Sequence, residues 1–290
     1  MSFSSEVKAE LAKHVSPARH CQIAELAAIM HFCGQYGRDE NGFYTIGFQT
    51  ENEAVVRKGF TLLKKTFNIE TGQILDSQKM QDVLQKVGNL DEPVSRILLK
   101  NACCQRAFLR GAFLSVGSIS DPSKSYHMEF DCADAPKAEQ LQKVICNFGI
   151  ESKIILRKKY HVVYLKEGSG IVDLLNVCEA PVALMNLENL RILKEMRNSV
   201  NRRVNCETAN ITKAVNAAAR QVEDIEYIRN HYGFQNLSAG LREMAEIRLE
   251  NPDIPLKELG ERFDPPIGKS GVNHRLRKLS ELAEKLRLGL

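Results

Sequence analysis

Leu26-Ala27-Ala28-Ile29-Met30-His31-Phe32-Cys33-Gly34 is a nearly unbroken apolar run that ends on glycine, and Leu109-Arg110-Gly111-Ala112-Phe113-Leu114-Ser115-Val116-Gly117 repeats it about eighty residues later. A Tyr follows each final Gly by nine or ten residues and opens an extended run, at 44–48 and at 126–130. Helical spacing then returns over residues 52–67 and 135–148. A helix-strand-helix order kept in both halves predicts a duplicated α+β unit with antiparallel sheets. The second half continues into a β-branched and aromatic hairpin over 153–166, with Arg157, Lys158 and Lys159 at its tip. A short helix over 171–177 closes it. In the first half, residues 71–90 read as a weaker strand and helix.

From Pro181 the pattern is helical. One helix is expected over 184–197 and another over 207–230, where Ile211, Val215, Ala218, Val222, Ile225 and Ile228 recur at helical spacing. The polar, basic stretch 198–205 between them reads as a joint and a domain boundary. Three further helices are expected at 241–250, 255–262 and 270–287, with Pro255 in a first turn and a break at 264–268. Two short helices, a tight turn and a basic third helix match the helix-turn-helix plan. The expected divisions are therefore 1–100, 101–198, a linker and connector helix at 199–231, and a DNA-binding domain at 232–290.

Charge sharpens the picture at the C-terminus. Residues 1–264 hold 34 Lys+Arg and 34 Asp+Glu, so the net charge of +4 lies entirely in the last 26 residues. A local basic patch is the footprint of a polyanion-binding module, although basic terminal helices are also common on solvated surfaces. On a helical wheel, Leu276, Leu279 and Ala283 fall within about 40° of Val272, and the four form the buried stripe. Asn273, His274, Arg277 and Lys278 fall opposite, and Arg275 flanks them. Lys269 and Ser270 sit at the helix start, where free N–H groups favour a phosphate oxygen. These seven residues are the candidate DNA contacts. His274 reads as a hydrogen-bonding group rather than a pH switch. Arg157, Lys158 and Lys159 are secondary candidates, against the plainer reading that a charged hairpin tip keeps a sheet edge soluble.

The rest of the composition excludes several classes. No stretch of about 18 apolar residues is present, so no membrane span is expected. Residues 1–8 do not read as a secretory signal; they read as a helix start capped by Ser4 or Ser5. The eight cysteines contain no C-x-x-C pair, and Cys103-Cys104 alone makes a poor disulfide and a poor chelate. Most sit in apolar settings such as Val144-Ile145-Cys146, which suits buried reduced thiols in a reducing cytosol. No metal site and no cofactor are expected.

The paired nine-residue segments resemble the motif of LAGLIDADG homing endonucleases. That resemblance implies two helices packed at a pseudo-two-fold axis through small residues, here Ala27, Ala28, Gly111, Ala112 and Ser115. It also implies that each final Gly leaves its helix in a left-handed conformation. Cutting in that family requires an acid immediately before the final Gly, to hold divalent metal on the scissile phosphate. Cys33 and Val116 occupy those positions, and His31 and Leu114 stand two residues earlier. A thiol is a poor ligand for a hard cation and Val is none, so no catalytic residue is expected. His31 and Cys33, two apart on a helix, point to different faces and make no metal pair.

With its lost acids, linker helix and terminal helix-turn-helix, the chain resembles the WhiA family of bacterial regulators over its whole length. Ser2-Phe3-Ser4-Ser5-Glu6-Val7-Lys8, Arg106-Ala107-Phe108-Leu109-Arg110-Gly111-Ala112-Phe113 with Gly117-Ser118-Ile119, and Tyr126-His127 carry the resemblance. So do Asn201-Arg202, Asn205-Cys206-Glu207-Thr208-Ala209-Asn210-Ile211 and Lys269-Ser270-Gly271-Val272-Asn273-His274-Arg275-Leu276-Arg277-Lys278-Leu279. The resemblance implies a cytoplasmic, nucleoid-associated transcription regulator on double-stranded promoter DNA. It would serve sporulation, cell division or chromosome segregation in Gram-positive bacteria, with no nuclease activity. RNA polymerase or a second regulator as partner stays open. So does the alternative of an interaction or scaffold protein without DNA specificity of its own. An active nuclease is the third class, and Cys33 and Val116 stand against it.

Overall fold

A computed structural model of the protein describes residues 2–289. The chain forms two compact units, one up to Glu195 and one from Met196 on. The first unit opens with α1 (Phe3–Lys13), α2 (Arg19–Cys33), β1 (Gly34–Arg38), β2 (Tyr44–Phe48), α3 (Glu53–Phe67) and α4 (Ser77–Val87). The plan is then repeated by α5 (Ala102–Val116), β3 (Gly117–Ile119), β4 (Met128–Cys132) and α6 (Ala135–Cys146). The hairpin of β5 (Lys153–Arg157) and β6 (Tyr160–Leu165) and α7 (Gly168–Val177) follow. A 51-residue helix, α8 (Pro181–His231), gives its first residues to the first unit and the rest to the second. The second unit continues with a 3-10 turn (Phe234–Asn236), α9 (Ala239–Glu250), α10 (Leu256–Gly260) and α11 (Lys269–Arg287).

The two motif helices form the centre of the first unit. Every residue from Ala24 to Met30 of α2 and from Ala107 to Leu114 of α5 is buried. A helix apolar on all faces is a core helix, unlike α3 and α4, which bury one stripe each. Gly111 lets the pair approach: a Cβ there would lie 2.5 Å from the Glu25 carbonyl oxygen and 2.8 Å from Ala28 Cβ.

The final motif glycines have a different role from the one expected. Gly34 and Gly117 are extended, with φ of −77° and −76°, not left-handed. Each starts a strand that turns back sharply over the last helical turn. A Cβ would meet the Met30 backbone at 2.6 Å in the first case and the Phe113 backbone at 2.7 Å in the second. Close approach, not positive φ, selects glycine here.

The sheets differ between halves as the sequence suggests. β1 and β2 make an antiparallel pair, and the other sheet has order β3-β4-β6-β5. In it Met128 lies opposite Leu165 and Phe130 opposite Val163, all four buried under α5 and α6. In the first half, the expected strand after residue 71 is a single bridge between Tyr44 and Leu75.

Further expectations are corrected. Ser2, not Ser4 or Ser5, caps α1, accepting from Ser5 N at 3.2 Å. The segment 198–205 is helical throughout, so the two expected helices are one. No glycine or proline interrupts residues 182–231, and the propensities of Asn, Arg and Val cost too little to break a helix. Its start is capped from afar, since Glu10 Oε1 and Oε2 accept from Val182 N at 2.8 Å and Ala183 N at 2.9 Å. Along α8 the expected apolar face is only partly covered: Ile225 and Ile228 are buried, Ile211 and Val215 exposed. Cys146 is also exposed, as are Cys103 and Cys206, while the other five cysteines are buried. Burial pushes the Cys132 and Cys178 thiols up to about 12.

A charge network sits between the central helices. Glu25 of α2 and Lys58 of α3 are fully buried and 2.9 Å apart. Arg110 of α5, also buried, contacts Glu25 through Nε and Nη2 at 3.2 Å, and donates from Nη1 to Glu179 Oε2 at 2.6 Å. Burial pulls Lys58 below its usual range, and Glu25 opposes that pull. Lys58 also donates to the His14 carbonyl oxygen.

Two histidines of the first unit are held below their usual pKa. His31 is buried with Nδ1 2.8 Å from Glu92 O and Nε2 3.0 Å from Val87 O. Two carbonyl acceptors favour the imidazolium, but burial is the larger influence and lowers the pKa. Burial, then Arg110, lowers His14 as well. Both therefore hold a proton less firmly in the fold than in the unfolded chain, which titrates near about 6.5. Their contribution to stability is present above that value and is lost as pH falls through the lower folded values. Urea midpoints should hold between pH 8 and 7 and decline towards pH 5, and His31→Gln should flatten the decline. A midpoint independent of pH over that range would reject this.

Candidate nucleic-acid interface

The second unit is built around the buried stripe of its last helix. Val272, Leu276, Leu279 and Ala283 of α11 pack with Ile225, Ile228, Met244, Ala245, Leu259 and Phe263. The turn between α10 and α11 is fixed by Gly260: Ile267 N donates to its carbonyl at 3.0 Å, and a Cβ there would lie 2.2 Å from Ile267 O. Buried Arg248 of α9 holds the preceding loop by donating to Ile254 O at 2.8 Å. Arg287 anchors the far end of α11, donating to buried Asp224 of α8 at 2.7 Å. Pro255 is the N-cap of α10 rather than a first-turn residue.

The core fixes which side of α11 faces water. Asn273, His274, Arg277 and Lys278 are exposed on the side opposite the stripe, and Lys269 and Ser270 are exposed at the start. The cap residue is Gly268, so no side chain occupies the N-terminal N–H groups. Arg277 is braced by Glu281, which accepts from its Nε at 2.9 Å; this contact also lowers the Glu281 carboxyl.

Arg275 stands apart from the other candidates. It is half-buried, with its guanidinium 5.0 Å from the centre of the Phe263 ring and beside Gly240. Among the seven residues it alone packs onto its own domain.

In the first unit, β5 ends at Arg157 and β6 starts at Tyr160, leaving Lys158 and Lys159 as the turn. Lys158 is left-handed, with φ of 56°. Arg157 is paired with Glu129, a partner the sequence does not show. Burial opposes ionisation of Glu129, yet Arg157 and His127 outweigh it and hold the carboxyl below its usual range. The free charge of the tip therefore rests on the two lysines.

Among the described residues, no pair of carboxylates stands at the ends of the motif helices. Cys33 is buried and Val116 half-buried. Beside Cys33 lie Ser115 and the amine of Lys8, which burial lowers from the usual lysine range. His31 is taken up by backbone carbonyls, on a different side from Cys33.

One cluster escapes the sequence reading, which weighs Cys103-Cys104 as an isolated pair. The fold sets them beside His20 and Cys21, with one ligand atom from each of the four within 4.8 Å of the others. Their separation of 83 residues, equal to that of Leu26 and Leu109, is the signal that was available. Among the described residues, no helix is long and apolar enough to cross a membrane.

Taken together, the architecture is that of a duplicated LAGLIDADG-like α+β body with a terminal helix-turn-helix domain. Three family descriptions match in order: the WhiA N-terminal LAGLIDADG-like domain over residues 19–87, the WhiA LAGLIDADG-like domain over 105–197, and the WhiA C-terminal HTH domain over 200–283. The chain is 50% identical over 312 residues to "Probable cell division protein WhiA" of Lachnoclostridium phytofermentans, covering 99% of this chain and all of that one. It is 48% identical to the protein of the same name from Alkaliphilus oremlandii, covering 100% and 99%. The crystal structure of full-length DUF199/WhiA from Thermatoga maritima matches with a TM-score of 0.59 at 26% identity, covering 98% of this chain and 99% of that one. The chain belongs to the WhiA family.

Proposed function

We propose that this chain is a sequence-specific regulator that binds promoter duplex through α11 and does not cut it. The observation that carries this reading is the exposed set Asn273, His274, Arg277 and Lys278, held outward by the opposite buried stripe. Asn suits adenine, Arg suits guanine, and Lys suits a phosphate in the major groove. Lys269 and Ser270, at a helix start capped by glycine, suit a backbone phosphate. Arg275 supports the domain from within and contributes charge at the margin. The lack of oxygen ligands at Cys33 and Val116, with Lys8 beside Cys33, supports a body that holds no catalytic Mg²⁺. The names of the relatives support a role in cell division; in this reading that role is served by control of transcription near the nucleoid.

Genome-wide crosslinking tests the proposal. The natural chain should enrich discrete promoter regions, and an Asn273→Ala/Arg277→Ala variant should lose them. Retention of all sites after deletion of residues 232–290 would instead favour a scaffold recruited by another protein.

The hairpin tip adds a weaker, sequence-independent contact in the same reading. Exchanging Lys158 and Lys159 for Glu should lower the slope of log affinity against log salt by about 1–2, since each phosphate contact contributes about 0.9. An unchanged slope removes the tip from the interface.

A further inference from the structure

We propose that His20, Cys21, Cys103 and Cys104 bind one zinc-class cation that cross-links the first turns of α2 and α5. One ligand atom from each lies within 4.8 Å of the other three, and Cys103 Sγ is 3.5 Å from His20 Nε2. A tetrahedral Cys₃His zinc, with bonds of about 2.3 Å to sulfur and about 2.0 Å to nitrogen, needs ligand atoms about 3.5–3.8 Å apart. The four ligand atoms therefore lie within about an ångström of that spacing.

Adjacent residues on one helix diverge by about 100° and make a poor chelate alone. Here the duplication overcomes that. His20 and Cys103 are separated by the same 83 residues as Cys21 and Cys104, so the four occupy two equivalent pairs of positions. Two diverging pairs, one from each helix, surround a single point. One turn further along, Ala24 and Ala107 stand in the same relation, and both pack with Cys21 and Cys104 in a small buried cluster. Their small side chains bring the two helix starts together.

The electrostatics suit the same cation. Three thiolates, a neutral imidazole and a divalent metal carry a net charge of −1. Two helix N-termini, each worth roughly half a positive charge, face it. Neither α2 nor α5 has a side-chain cap, so the N–H groups of Arg19, His20, Ala102 and Cys103 have no side-chain acceptor, while those of Cys21 and Cys104 donate to the Ala18 and Asn101 carbonyls. Binding is balanced as three thiol protons released per metal ion, with no change of oxidation state. Sulfur and nitrogen donors select zinc over Mg²⁺ or Ca²⁺. Four protein ligands leave no open position, so the site is structural rather than catalytic.

Cobalt titration of the reduced full-length protein tests the proposal. One equivalent of Co²⁺ should give the intense visible bands and sulfur charge-transfer absorption of a tetrahedral thiolate site, and Zn²⁺ should bleach them. His20→Asn/Cys103→Ser replaces two exposed side chains, which leaves the buried packing intact. It should weaken metal binding by more than the roughly 10–100-fold that loss of an outer-shell contact costs. Cys21→Ser/Cys104→Ser should abolish the bands. Cys146→Ser/Cys206→Ser, at the other exposed thiols, should leave them unchanged. Absence of tetrahedral bands in the natural protein, or their persistence in His20→Asn/Cys103→Ser, would overturn the assignment.

Discussion

Arg110→Met will lower the stability of the first unit by about 1–3 kcal/mol, because it takes a hydrogen-bond donor from the buried Glu25 carboxylate. Glu25 is fully buried, and Arg110 reaches it through two nitrogens. The remaining partner, Lys58, already answers to the same carboxylate at 2.9 Å. Removing the guanidinium also strands the inner end of the link to Glu179. By contrast, Glu179→Gln should cost less than about 1 kcal/mol, since that carboxylate is 41% exposed and screened by water. Replacing Glu25, Lys58 and Arg110 together by apolar residues of similar volume should cost less than Arg110→Met alone. Chemical unfolding followed by circular dichroism checks all three. Arg110→Met within about 1 kcal/mol of the natural chain would mean that water reaches the network.

Asn273→Ala with Arg277→Ala will weaken promoter binding by about 2–6 kcal/mol, the sum of two base contacts worth about 1–3 each. The loss should fall on specific fragments and leave binding to random duplex nearly intact. Lys278→Ala should instead weaken both alike and reduce the salt slope by about 1. Arg275→Ala should behave differently from either. Its guanidinium stacks on Phe263, so its loss should lower the stability of the second unit before it touches specificity. Gel-shift titrations on specific and random fragments separate these outcomes. Equal loss on both fragments for Asn273→Ala/Arg277→Ala would show that these residues only meet phosphate.

Much of this was legible in the residues. The two motif runs, the hairpin and the stripe at Val272, Leu276, Leu279 and Ala283 follow from periodicity, because burial and spacing are written in the same positions. What was not legible depends on contacts between distant segments. Glu10 capping α8 across 172 residues has no local signature. The pairing of Arg157 with Glu129, which leaves less free charge at the tip than a count of basic residues suggests, arises from strand register. Continuity of α8 through 198–205 was hidden because polar composition looks like a joint, while the decisive fact is the absence of glycine and proline. The motif glycines stand out in the sequence without their reason, since a crowded exit and a left-handed exit both demand the same residue.

Footprinting of a labelled promoter fragment by the purified full-length chain, with Mg²⁺ present, tests the central claim most directly. A discrete protected stretch on strands that remain full length is the predicted result. Strand breaks at or near the protected stretch, or no protection at modest ionic strength, would contradict it.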